Sequence, residues 1–240
     1  EEMGKMRVEI PGDEKKALTH YAYHIKAGKE IFAAEGAFGQ YLICFRNLPV
    51  AIGITAGARE YLAADICLKY MKEAVSEPCK EEQLEAAEKT LRAKLNSLSL
   101  VQPEGTFRTA RKEAAKLFDR KILFTENPRK IESAVFTKDG HRVKIEAVIN
   151  GEQKTLYAGY KVWKRNDLYP DDYTKRYQNV AYAMDAEALY LSVGLINTSY
   201  KEEYCLWVNS QDKVIATWHP NVTYLPEEPD MIWKFTGTFE

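Results

Sequence analysis

What this chain lacks narrows its function first. No apolar run approaches the ~20 residues that a membrane-spanning helix needs. The longest quiet one, LPVAIGITAGA at 48–58, stops well short. The four cysteines, Cys44, Cys67, Cys79 and Cys205, form no C-x-x-C pair, which argues against a zinc ribbon or a dense disulfide framework. Free thiols fit a reducing compartment. The opening string EEMGKMRVEIPG carries no apolar stretch of the kind found in secretory signals. The expectation is a soluble, intracellular protein with no membrane partner. The formal net charge of −1 provides no whole-chain attraction to nucleic acid or anionic lipid.

Catalytic signatures are absent as well. There is no G-x-G-x-x-G, Walker A loop, G-x-S-x-G, H-E-x-x-H or EF-hand loop. No catalytic residue can be named and no cofactor is expected. No internal repeat of 20–50 residues is visible.

What is present falls into two halves with different periodicities. Up to about residue 130 the apolar spacing reads as helical. Asp13 is placed to cap a first helix over about 13–34, with Leu18, Tyr21, Ile25 and Phe32 as its stripe. KEEQLEAAEKTLRAKLNSL at 80–98 repeats Leu84, Ala87, Leu91, Leu95 and Leu98 at steps of three and four, with acidic residues in its first turn. A further helix is read over 106–121.

Beyond 130 the period changes to two. KDG at 138–140 and NG at 150–151 are hairpin signals, because such turns need positive φ. Between them Val143, Ile145, Ala147 and Ile149 alternate with Arg142, Lys144 and Glu146. The strings ALYLSVGLI, EYCLWVN, KVIATWH and MIWKFTGTF extend the pattern to about seven strands. The fold class that follows is α+β: a helical N-terminal region, 1–130, packed with an antiparallel, aromatic-rich β-sheet region, 131–240, in two domains or one compact unit.

Three candidate sites emerge. The β half concentrates aromatic residues, and Tyr157, Trp163, Tyr190 and Tyr204 could line one sheet face that receives a protein partner or a second copy of the chain. In the 106–121 segment Arg108, Lys112, Lys116 and Arg120 recur at steps of four, a stripe that could follow nucleic-acid phosphates or else remain a solvated helix face. His20 and His24 stand four apart on the first expected helix and could share a divalent metal, which would need a third ligand from elsewhere. The leading expectation is a non-enzymatic binding or assembly protein that presents aromatic β surface to a protein. Nucleic-acid association and metal-dependent catalysis are the alternatives.

Overall fold

The computed structural model describes residues 4–12, 16–59, 62–77, 80–105, 112–223 and 231–240. The chain forms two units, Glu1–Leu100 and Val101–Glu240.

The first unit is built on a sheet, not on a helical bundle. Six strands, β1 (Val8–Glu9), β2 (His20–Ala22), β3 (Ile25–Ala27), β4 (Ile31–Gly36), β5 (Gln40–Phe45) and β6 (Ala51–Ile54), pair in chain order. Every neighbouring pair is antiparallel. Ile31, Ala33, Tyr41, Ile43 and Phe45 point to one face and are buried. Helix α1 (Ala63–Ser76) covers that face with Ala64, Cys67, Leu68 and Met71. Asp65 accepts a hydrogen bond from the Ala17 amide at 2.7 Å, which ties the helix to the strand side. Helix α2 (Leu84–Asn96) forms where the leucine repeat predicts it, but Leu84, Leu91 and Leu95 are exposed.

The expected helix over 13–34 is therefore replaced by a short β-hairpin. Tyr23 and His24 take φ of 48° and 61° and turn the chain between β2 and β3. Positive φ at both central residues is the two-residue hairpin geometry whose twist suits antiparallel strands. Asp13, the expected cap, lies outside the described residues.

The second unit is a β-barrel. Its strands are β7 (Lys121–Phe124), β8 (Ile131–Asp139), β9 (Arg142–Ile149), β10 (Glu152–Tyr160), β11 (Lys164–Asp167), β12 (Tyr177–Met184), β13 (Ala188–Leu195), β14 (Lys201–Val208), β15 (Val214–Pro220) and β16 (Trp233–Phe239). The sheet order is β10-β9-β8-β7-β16-β15-β14-β13-β12-β11. Nine of these strands close into a ring because β10 and β12 also pair, in parallel, at Gly159 with Ala181 and Tyr160 with Tyr182. Closure removes free sheet edges, which antiparallel proteins must otherwise protect.

The closing seam is short, and β11 fills the remainder. It pairs with the first half of β12 and lies against β10. Gly159 is required here: a Cβ at that position would sit 2.3 Å from the Val162 carbonyl oxygen, so a side chain would force the returning chain away.

The two predicted turns appear as read. Asn150 and Gly151 have φ of 52° and 77°, and Gly140 has 60°. On β9, Val143, Ile145 and Ala147 point inward and are buried, and their register partners Leu156 on β10 and Ala134 and Phe136 on β8 share the interior.

The α+β assignment, a helical half packed with a sheet, is thus overturned. The described residues of the unit spanning 1–100 include six strands, and the 112–121 stretch contributes a 3-10 turn, Lys112–Leu117, and then the start of β7. Among the described residues no helix is long and apolar enough to cross a membrane.

Candidate functional site: an apolar cavity with an inward-facing ion pair

Inside the barrel the side chains do not fill all the space. About 100 Å³ is open to the centre of a water-sized sphere, several times the ~10–15 Å³ that admits one water. The space has a local origin. Ala134 on β8 and Ala147 on β9 face each other directly, and Ala216 lines the wall contributed by β15. Small residues at facing inward positions leave room that Leu or Phe would occupy. Ile145, Leu156, Val180, Leu191 and Phe235 make the rest of the wall largely apolar.

One part of the wall is charged. On β14 the inward positions run Glu202, Tyr204 and Leu206, and all three line the cavity. Arg129 reaches the same place from the β7–β8 loop. That loop is held by Asn127, whose Nδ2 donates to the carbonyls of Thr125 at 2.9 Å and Ile131 at 2.8 Å. Asn127 Oδ1 accepts from the Ile131 amide at 3.1 Å, and the Asn150 amide donates to the Lys130 carbonyl at 2.8 Å. The guanidinium is thus delivered by a braced loop.

Three groups meet there. Arg129 Nη2 lies 3.2 Å from Glu202 Oε1. The Tyr204 hydroxyl donates to Glu202 Oε2 at 2.6 Å and accepts from Arg129 Nε at 3.4 Å. The guanidinium carbon also lies 5.7 Å from the centre of the Trp218 ring, within cation–π range. Burial alone would disfavour the Arg129 charge, but Tyr204 and Glu202 more than offset it and hold the guanidinium's pKa above its ordinary value. Burial, reinforced by the Glu202 carboxylate, pushes the Tyr204 phenol well above its usual range. The phenol is therefore a hydrogen-bond donor at neutral pH. The cluster as a whole carries no net charge.

The residues singled out from sequence are dispersed. Tyr204 lies inside the barrel, not on an open face. Tyr190, one register position along β13 and pointing the other way, donates to Asp185 Oδ2 at 2.8 Å. Tyr157 is on the outer side of β10 beneath the Arg142 guanidinium at 4.3 Å, and Trp163 follows the end of that strand. These four form no common surface, and the expectation of an aromatic sheet face presented to a protein partner or second copy is corrected on that ground.

The basic stripe does not form either. Arg108 lies outside the described residues. Lys112 opens the 3-10 turn with φ of 50°. Lys116 pairs with Glu113 at 2.6 Å and Asp212 at 3.4 Å. Arg120 lies 3.8 Å from the same Asp212 and stacks on Phe239 at 3.6 Å. Lys116 and Arg120 are thus engaged by neighbouring side chains of the barrel unit, and Lys112 lies on a 3-10 turn, so the nucleic-acid reading, which needs a continuous helical stripe, is corrected too.

His20 and His24 do not share a helix face. His20 is on β2, with Nδ1 2.8 Å from Thr19 Oγ1, and His24 is at the hairpin turn, with Nδ1 3.2 Å from the Tyr21 hydroxyl. Among the described residues no group of three or more His, Cys, Asp or Glu side chains is placed to hold a metal ion.

The sequence matches no family profile and no curated protein. Among solved structures it is similar over 54% of its length to apo lipid binding protein 8 (LBP-8) of Caenorhabditis elegans, of which 99% is covered, at 10% identity and a TM-score of 0.41. It is similar over 51% of its length to the fatty-acid-binding protein isolated from Manduca sexta, of which 98% is covered, at 9% identity and a TM-score of 0.37.

Proposed function

We propose that the second unit binds a small lipophilic molecule inside its barrel, without catalysis. The cavity bounded by Ala134, Ala147 and Ala216 carries this reading. An apolar void is a poor home for water, because water there lacks polar partners, and an apolar cavity of ~150 Å³ takes up benzene. Each Å² of apolar ligand surface removed from water contributes about 25 cal/mol. The Arg129–Glu202–Tyr204 cluster supplies the few placed polar groups that would orient one end of such a ligand. Three described cysteines, Cys44, Cys67 and Cys205, are free thiols, which supports placing the protein in a reducing, intracellular and aqueous compartment.

Titration with Nile red, a neutral dye whose emission rises in apolar surroundings, tests the reading. Saturable fluorescence that octan-1-ol displaces, and that is lost in Ala147→Leu, is expected. Fluorescence that Ala147→Leu leaves unchanged would refute cavity binding.

A further inference from the structure

We infer that the cavity selects uncharged ligands, such as alcohols and carbonyl compounds, over carboxylate anions. The inference rests on the proposed cavity binding and concerns the ligand's polar end. Among the described residues that line the cavity, Arg129 is the one cationic side chain and Glu202 the one carboxylate. Each is already matched to the other at 3.2 Å. Both oxygens of Glu202 are engaged, one by Arg129 and one by Tyr204. The guanidinium has therefore no excess positive charge to give a ligand.

A carboxylate entering this space would bring a second negative charge beside a buried Glu202. It would either remain unpaired or displace Glu202 from Arg129. Both outcomes leave a charge in apolar surroundings without its own counter-ion, which costs far more than an unmade hydrogen bond. A hydroxyl or carbonyl asks only for a hydrogen bond at the cluster's rim, and leaves the ion pair intact. Lys154, whose ammonium lies 4.3 Å from the ring of the lining residue Tyr169, does not supply the missing charge: it is held by Glu152 at 2.6 Å and the Leu168 carbonyl at 3.2 Å.

The geometry also says what would reverse the preference. Glu202→Gln removes the built-in counter-ion and keeps a side chain of the same shape, so Arg129 becomes a cation waiting for an anion.

Isothermal titration calorimetry of octan-1-ol against sodium octanoate at pH 8, where octanoate is ionised, tests this on the unaltered protein. Octanol is expected to bind at least ~10-fold more tightly, and Glu202→Gln to invert the order. Should the variant fail to fold, the wild-type ratio decides the matter, and the double variant Arg129→Gln/Glu202→Gln, which leaves no buried charge, should keep the preference for octanol. Octanoate binding the wild type as tightly as octanol would overturn the selectivity while leaving cavity binding intact. Binding of neither compound, with no displacement of Nile red, would overturn both.

Discussion

Asn166 takes the place of backbone at the barrel's seam: its Oδ1 accepts from the Tyr157 amide at 2.7 Å, and its Nδ2 donates to the Tyr157 carbonyl at 3.1 Å. The same amide nitrogen also reaches the carbonyls of Lys164 at 3.0 Å and Gln178 at 3.3 Å. Strands β10 and β12 pair directly only at 159–160 and 181–182. Above that point one buried side chain links β10, β11 and β12, and pairs the Tyr157 amide and carbonyl.

Asn166→Leu should therefore destabilise the barrel by about 3 kcal/mol, since it strands the Tyr157 amide and carbonyl at ~1–3 kcal/mol each. Asn166→Asp should be no gentler: it keeps the acceptor for Tyr157 but turns a carboxylate toward three carbonyls. Urea unfolding measures both. A cost below about 0.5 kcal/mol for Asn166→Leu would show that the seam does not depend on this side chain.

The barrel's strands and every described lining residue of its cavity lie beyond residue 112. A fragment of residues 101–240 is expected to fold alone and to unfold cooperatively, as a unit with its own core does. Circular dichroism and denaturant titration check this. A fragment without a cooperative transition would mean that the first unit is needed for folding.

Alkaline pH should weaken the fold. Burial, helped by the hydrogen bond to Asp185, raises the Tyr190 phenol from its ordinary 10.0 to about 12. Burial likewise raises the Cys205 thiol from 9.0 to about 11. Both groups keep their protons in the folded state over a range where the unfolded chain loses them, so the unfolded state is favoured as pH rises. The Cys205 contribution is complete below pH 9 and vanishes as pH climbs to about 11; the Tyr190 contribution is complete below pH 10 and vanishes as pH climbs to about 12. The urea midpoint should decline from pH 9 to 12, and Tyr190→Phe should flatten the upper part of that decline. A midpoint that is constant across this range would contradict the assignment.

Legibility in the sequence was uneven, for physical reasons. The meander β8–β9–β10 could be read because its strands are eight or nine residues long and two Gly-containing turns fix their register. The N-terminal sheet could not. β2 and β3 have three residues each, too few to display a period of two, and their turn uses Tyr23 and His24 at positive φ where Gly or Asn would have signalled it. The accidental spacing of Leu18, Tyr21, Ile25 and Phe32 then imitates a helix. In the barrel, β7, β11 and β12 are not legible from periodicity. β12, YQNVAYAM, is buried on both sides along its second half and so shows no alternation.

The cavity site was half visible. Glu202 shares its strand face with Tyr204, Leu206 and Val208, and a carboxylate on an inward face is an anomaly that sequence can reveal. Its partner could not be found that way. Arg129 reaches Glu202 only because Asn127 folds the 125–130 loop back on itself, a feature with no periodic signature.

The cavity itself can be blocked. Ala147→Leu adds bulk beside Ala134, its register partner on the neighbouring strand. Filling the void should leave stability within about 1 kcal/mol of the wild type, or raise it, while octanol affinity drops at least ~10-fold. Equal affinity in a folded Ala147→Leu variant would place the ligand elsewhere.

The most direct test is a two-dimensional NMR titration of the labelled protein with octan-1-ol. Saturable shifts concentrated on the methyl groups of Ala134, Ile145, Ala147, Leu156, Val180 and Leu191, with β1–β6 unmoved, are expected if the barrel interior is a ligand site. Methyl resonances of those residues that stay fixed at saturating octanol, or that shift no more than surface groups, would contradict it.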